Sequence, residues 1–69
     1  MREFTVIIEK DEDGWYVSSV LELQGCHTQG KNLDELMERT KEAIEAYLEA
    51  IGEEQIGKIE FVGIQRVKV

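Results

Sequence analysis

Cys26 and His27 are the one nucleophile-and-base pair this sequence offers, since it contains a single cysteine and a single histidine. Neighbours on an extended segment point to opposite faces, so the two side chains cannot share a proton or a metal ion. The pair reads instead as a half-buried thiol beside a surface imidazole. One Cys and one His are also too few for a structural zinc site, and a lone cysteine excludes an intrachain disulfide. Carboxylates are abundant, but Asp11, Glu12 and Asp13 fall on a turn and read as solvated rather than poised for acid–base work. Gly25 and Gly30 lack the spacing of a phosphate cradle. Trp15 and Tyr16 have no interleaved basic residues that would make them a base-stacking platform. No catalytic residue, metal ligand or cofactor site is expected, and the chain reads as a non-enzyme.

Charge points to binding. The 69 residues carry a net charge of -7, which argues against direct nucleic-acid contact, because phosphates need clustered Lys and Arg. Residues 34–54 hold eight acidic side chains against Arg39 and Lys41. That stretch is either a solvated helix face laced by i,i+4 pairs such as Glu35–Arg39 and Lys41–Glu45, or a recognition surface for a basic partner. No apolar run approaches the roughly 20 residues of a membrane span, and no signal peptide is evident, so a cytoplasmic protein with no membrane partner is expected. With 42% hydrophobic and 33% charged residues, the composition is that of a globular chain, read as one domain over residues 1–69. So small a domain is marginal alone. With disulfides and zinc excluded, self-association is the expected support.

The elements that position these residues follow from periodicity. Residues 2–10 read as a strand with Phe4, Val6 and Ile8 on one face. Asp11 to Gly14 supplies a turn in which Gly14 can take a positive φ. Trp15 to Leu21 is a second strand, with Tyr16, Ser18 and Val20 on one face and Trp15, Val17, Ser19 and Leu21 on the other. Glu22 to Gly25 is a loop, and Cys26 to Gln29 a short edge strand. Asn32 is an N-cap, with Glu35 placed to close a capping box on its backbone. The helix that follows carries Leu33, Leu36, Met37, Thr40, Ala43, Ile44, Tyr47, Leu48 and Ile51 on one stripe and ends at Gly52. Glu53 to Lys58 is a polar connector. Ile59 to Val69 is a last strand whose parity switches, as a bulge near Gln65 and Arg66 or burial on both faces would produce.

The order β-β-β-α-β defines an α+β fold. Counting chain reversals makes the fourth strand parallel to the first, in a four-stranded mixed sheet of order 3-2-1-4 with the helix on one face. Ile7, Val62 and Ile64 then lie on the face the helix leaves bare. They are the expected interface of a homo-oligomer, a dimer or tetramer.

The run from Gly14 to Gly30, GWYVSSVLELQGCHTQG, resembles the signature of the HicB-like antitoxin family. In that family a D-G-x-Y-x-V strand leads into a P-E-L-P-G-C-x-T-x-G loop. The helix resembles the family's too: Asn32-Leu33-Asp34-Glu35 stands at the T-L-E-E-A opening, and Lys41 to Glu49 follows the A-K-E-A-I-E-x-Y-L-E continuation. The likeness covers residues 4–49. Leu21 and Gln24 depart from the two loop prolines. Many members continue into a ribbon-helix-helix or helix-turn-helix module, so a short form without a DNA-binding module is expected here. The resemblance implies a partial RNase H-like fold without nuclease activity, since Glu3 and Glu9 alone mark the ends of the first strand. It also implies neutralisation of a small basic HicA-type ribonuclease toxin by covering the surface that meets mRNA. The residues that would make the contact are the helix face Glu38, Glu42, Glu45 and Glu49, or the loop residues Cys26, His27 and Thr28. The alternative is a stand-alone oligomer that binds another protein or a small ligand and has no toxin.

Overall fold

The computed structural model describes residues 2–52 and 58–69. Its elements are β1 (Val6–Lys10), β2 (Tyr16–Val20), β3 (His27–Gly30) and α1 (Leu33–Ile51). The strands form one antiparallel sheet in the order β1-β2-β3.

Asp11 builds the first hairpin turn. Its Oδ1 accepts hydrogen bonds from the backbone N–H groups of Asp13 and Trp15, each at 2.9 Å. Gly14 completes the turn at φ 88°, a conformation that costs a side-chain-bearing residue more than glycine. The register then fixes the faces. Val6 pairs with Val20 and Ile8 with Ser18, while Ser18 pairs with Thr28 and Tyr16 with Gly30. Those six side-chain positions and Gly30 share the face that receives α1. Ile7, Glu9, Val17, Ser19, His27 and Gln29 share the other.

Helix α1 starts as the sequence predicts, with one shift. Asn32 Oδ1 accepts from the Glu35 N–H at 2.8 Å. The Glu35 carboxylate, however, reaches back to the N–H of Lys31 at 2.7 Å, not to that of Asn32. The reciprocal logic of a capping box is kept, one residue earlier. At the other end Gly52 sits at φ 79° and its N–H donates to the Leu48 carbonyl at 2.8 Å.

The buried stripe is narrower than its pattern. Leu36 and Thr40 are buried, and Ala43, Ile44, Tyr47 and Leu48 are half-buried against Val20, Leu23 and Cys26. Leu33 and Met37, expected in the stripe, are exposed. The closest approach of helix to sheet explains this. A Cβ on Gly30 would stand 2.8 Å from the backbone nitrogen of Leu36, so the contact is centred on Leu36. Met37, about 100° further round the helix, falls outside it.

The last segment departs most from expectation. Residues 59–69 form no strand, and 58–69 are exposed throughout. The sheet is therefore three-stranded and wholly antiparallel, and the mixed order 3-2-1-4 is not formed. The helix lies closest to β3 and β2, and of β1 Val6 packs on the same core as Ala43, Ile44, Tyr47 and Leu48. The expected connector lies, apart from Lys58, outside the described residues.

Candidate partner-binding surface

Steps of four, three and four residues align Glu38, Glu42, Glu45 and Glu49 on one side of α1. Glu38 lies roughly 200° round the helix from Leu36, so this stripe faces away from the sheet. All four side chains are exposed. Like charges at these spacings repel and destabilise an isolated helix by a few tenths of a kcal/mol per pair. Of the helix cations, Arg39 is engaged elsewhere and Lys41 flanks the stripe. Arg39 pairs with Glu35 at 2.8 Å and donates to the Gln29 carbonyl at 3.1 Å, pinning α1 to β3. The expected Glu35–Arg39 pair thus forms. Among the described residues Lys41 makes no ion pair with Glu45. The result is an unneutralised anionic ridge on the solvent side of the helix.

The loop candidates divide. Cys26 is buried against Val20 and Leu23, and that burial pushes its thiol pKa up, which keeps it protonated and unreactive. Thr28 is half-buried on the helix face. His27 alone of the three is exposed, on the sheet face opposite α1. The helix glutamates and His27 therefore do not share a surface. Ile7 is half-buried on that same outer face, while Val62 and Ile64 stand exposed on the C-terminal segment.

Three supports were not foreseen from sequence. Ser18 and Thr40, both buried, meet hydroxyl to hydroxyl at 2.7 Å, and Thr40 Oγ1 donates to the Leu36 carbonyl at 2.6 Å. A hydroxyl has one proton, so Ser18 must donate to Thr40. The Tyr47 hydroxyl donates to the Gln24 carbonyl at 2.8 Å, tying the loop to the helix. Glu22 accepts the Thr5 N–H at 2.8 Å. Burial works against its carboxylate, but hydrogen bonds from the Thr5 backbone and side chain and from its own backbone outweigh this and lower its pKa. The signals were present: a hydroxyl on the helix stripe at Thr40 opposite one on the sheet at Ser18, and one acid in an otherwise apolar loop.

Lys10 and Lys31 lie over the rings of Tyr16 and Trp15, at 5.2 and 5.9 Å from the centroids, so both aromatics are partly capped. Among the described residues no three of the metal-ligating side chains His, Cys, Asp and Glu converge, and no pocket opens. No described helix is long and apolar enough to cross a membrane.

Fold and surface together define an acidic α+β protein with a helix-backed antiparallel sheet whose edge strands are β1 and β3, and one anionic ridge. Residues 4–67 match the family model described as the HicB-like antitoxin of bacterial toxin–antitoxin systems. The chain is 60% identical over 67 residues to a UPF0150 protein of Archaeoglobus fulgidus, covering 97% of this chain and 94% of that one. It is 48% identical over 68 residues to a UPF0150 protein of Synechocystis, covering 99% and 96%. A Thermotoga maritima UPF0150 protein is 42% identical over 67 residues, covering 96% and 88%. The chain belongs to the HicB-like antitoxin family.

Proposed function

We propose that this protein is an antitoxin that binds a small basic HicA-type mRNA-cleaving toxin and neutralises it by covering the toxin's RNA-binding surface. The observation that carries this reading is the ridge of Glu38, Glu42, Glu45 and Glu49, exposed, aligned and facing away from the sheet. A toxin that grips RNA must present cationic side chains, and such a ridge offers them carboxylates where RNA offers phosphates. Net charge of opposite sign also steers the two proteins together. The role is one of binding in the cytoplasm, where mRNA lies, and needs no cofactor or reaction. The buried Cys26 and half-buried Thr28 support the loop in this reading, and His27 lies outside the contact.

The test is co-expression with the basic protein encoded beside this chain. Wild type should restore growth and co-purify with the toxin. A variant with all four ridge glutamates changed to glutamine should bind at least about tenfold more weakly, a loss of about 1.4 kcal/mol, with a shallower salt dependence. His27→Ala should bind as wild type does. If the quadruple variant neutralises fully, the ridge is not the contact. If no adjacent basic protein binds at all, the stand-alone oligomer is the better reading.

A further inference from the structure

The C-terminal segment and the first strand have matching deficits. Residues 58–69 are exposed along their whole length and carry six large apolar side chains: Ile59, Phe61, Val62, Ile64, Val67 and Val69. Val62, Ile64 and Val67 are 93%, 74% and 77% exposed, a concentration that water disfavours. Strand β1 has β2 on one side and, among the described residues, no strand on the other. The Thr5 carbonyl accepts from Leu21 and the Asp11 N–H donates to Trp15. Odd-numbered residues of β1 thus turn their backbone groups toward β2. By the alternation of an antiparallel pair, Val6, Ile8 and Lys10 turn theirs toward the open edge. On the inner face of β1, Val6 packs on the core beside α1, whereas Ile8 is 44% exposed.

We propose that residues 58–69 are an exchange arm that docks on the open edge of β1, over its part-exposed Ile8, in a second copy of this chain, while that copy returns its own arm. Three observations favour a second copy over other occupants. First, the arm is the basic part of an acidic chain. Lys58, Arg66 and Lys68 against Glu60 give it a net charge of +2, which leaves -9 on the rest of a chain whose total is -7. Glu3, Glu9 and the exposed turn Asp11 to Asp13 lie at the two ends of β1. A cationic arm therefore suits another copy's acidic body and opposes a basic toxin. Second, the arm lies away from its own body. The radius of gyration is 13.2 Å, against about 11 Å for a compact chain of this length. Third, every copy carries both halves of the seam, an exposed apolar arm and a β1 edge, so two copies can satisfy each other. Reciprocal exchange brings two arms and two β1 edges together, so each arm covers the part-exposed Ile8 of the other copy. The contact is self-complementary and closes as a two-fold dimer. It would restore the strand order 3-2-1-4, with the fourth strand donated by the partner. The family match extends to residue 67, which places most of the arm within the matched region.

This proposal concerns the protein alone and stands whether or not a toxin binds. The decisive measurement mixes isotope-labelled and unlabelled full-length chains, unfolds and refolds them together, and records nuclear Overhauser contacts filtered for pairs on different chains. Contacts from the methyls of Val62 and Ile64 to those of Val6 and Ile8 across chains, with a sedimentation mass of two chains, are expected. The same contacts found only within a chain would overturn the proposal, as would a single-chain mass at high micromolar concentration. An arm that orders only when a toxin is added would also overturn it. Ile64→Asp and Lys68→Glu give a second line. Each should raise the dimer dissociation constant at least about tenfold with an unchanged helical signal, and added salt should weaken the wild-type dimer. Dimers of undiminished affinity in both variants would sink the idea.

Discussion

The two flanks of the sheet differ in what they ask of other molecules. On the β3 side, α1 approaches so closely that Gly30 has no room for a side chain, and Leu36, Thr40, Ser18 and Leu23 are sealed. On the β1 side, the strand edge is open, Ile8 is part-exposed and an apolar segment stands in water. The helix seals the β3 flank, whereas the β1 flank keeps part-exposed apolar surface. The lesson is one of division: the β3 flank carries the fold, and the proposed exchange places association on the β1 flank.

That division is most severely tried by substitutions on the sealed side. Leu36→Ala leaves a cavity at the centre of the helix–sheet contact and should cost about 2–5 kcal/mol. A chain of this size has a total stability of roughly 3–10 kcal/mol, so thermal or urea unfolding should show a large loss, or no folded state at all. Val62→Ala on the arm removes comparable atoms. At concentrations where the protein is a single chain it should cost under about 0.5 kcal/mol. If the two variants lose equal stability there, the contrast between the flanks is wrong.

Next in size is Thr40→Val, which keeps shape and removes a hydroxyl. Ser18 then loses its acceptor in a fully buried site, and the Leu36 carbonyl loses a donor. The cost should be about 1–3 kcal/mol. Pairing it with Ser18→Ala should recover part of that loss, because the second change removes the stranded hydroxyl. A double-mutant cycle with no coupling would mean the pair contributes nothing specific to the sealed flank.

How far these features were legible differs between the flanks. The helix and its caps were readable, because Asn32, Glu35 and Gly52 act locally and their spacing alone prescribes the geometry. The hairpin was readable for the same reason, through Asp11 and Gly14. The signature loop announced the family, but not that Leu23 would be its anchor, since an isolated leucine in a loop has no period to betray its direction. The alternation in residues 59–69 predicts a strand of this sheet, and the segment forms none. Periodicity reports that a face wants covering and is silent on which chain covers it. The acidic ridge was legible as spacing. That Lys41 would leave it unpaired was not, because surface pairs are worth too little to be dictated by sequence.

The smallest expected effect lies on the join between the two flanks. Glu22 accepts the N–H of Thr5, and so fastens the residue just before β1 to the loop that anchors the sealed side. Its pKa is lowered in the folded protein because hydrogen bonds to the charged form outweigh the opposing effect of burial. A carboxylate held below its unfolded pKa adds stability above that unfolded value and loses it as pH falls through the folded one. Lowering the pH through and below the usual carboxylate range should therefore loosen the tie. In wild type, hydrogen exchange of the Thr5 amide should quicken across that interval, relative to amides of β3, once the intrinsic pH dependence is divided out. Glu22→Gln keeps an acceptor oxygen but not the charge, so its Thr5 amide should exchange faster at neutral pH and show no acid step. If wild-type Thr5 and the β3 amides respond to acid together, the flanks open as one unit, and the boundary drawn at Glu22 does not exist.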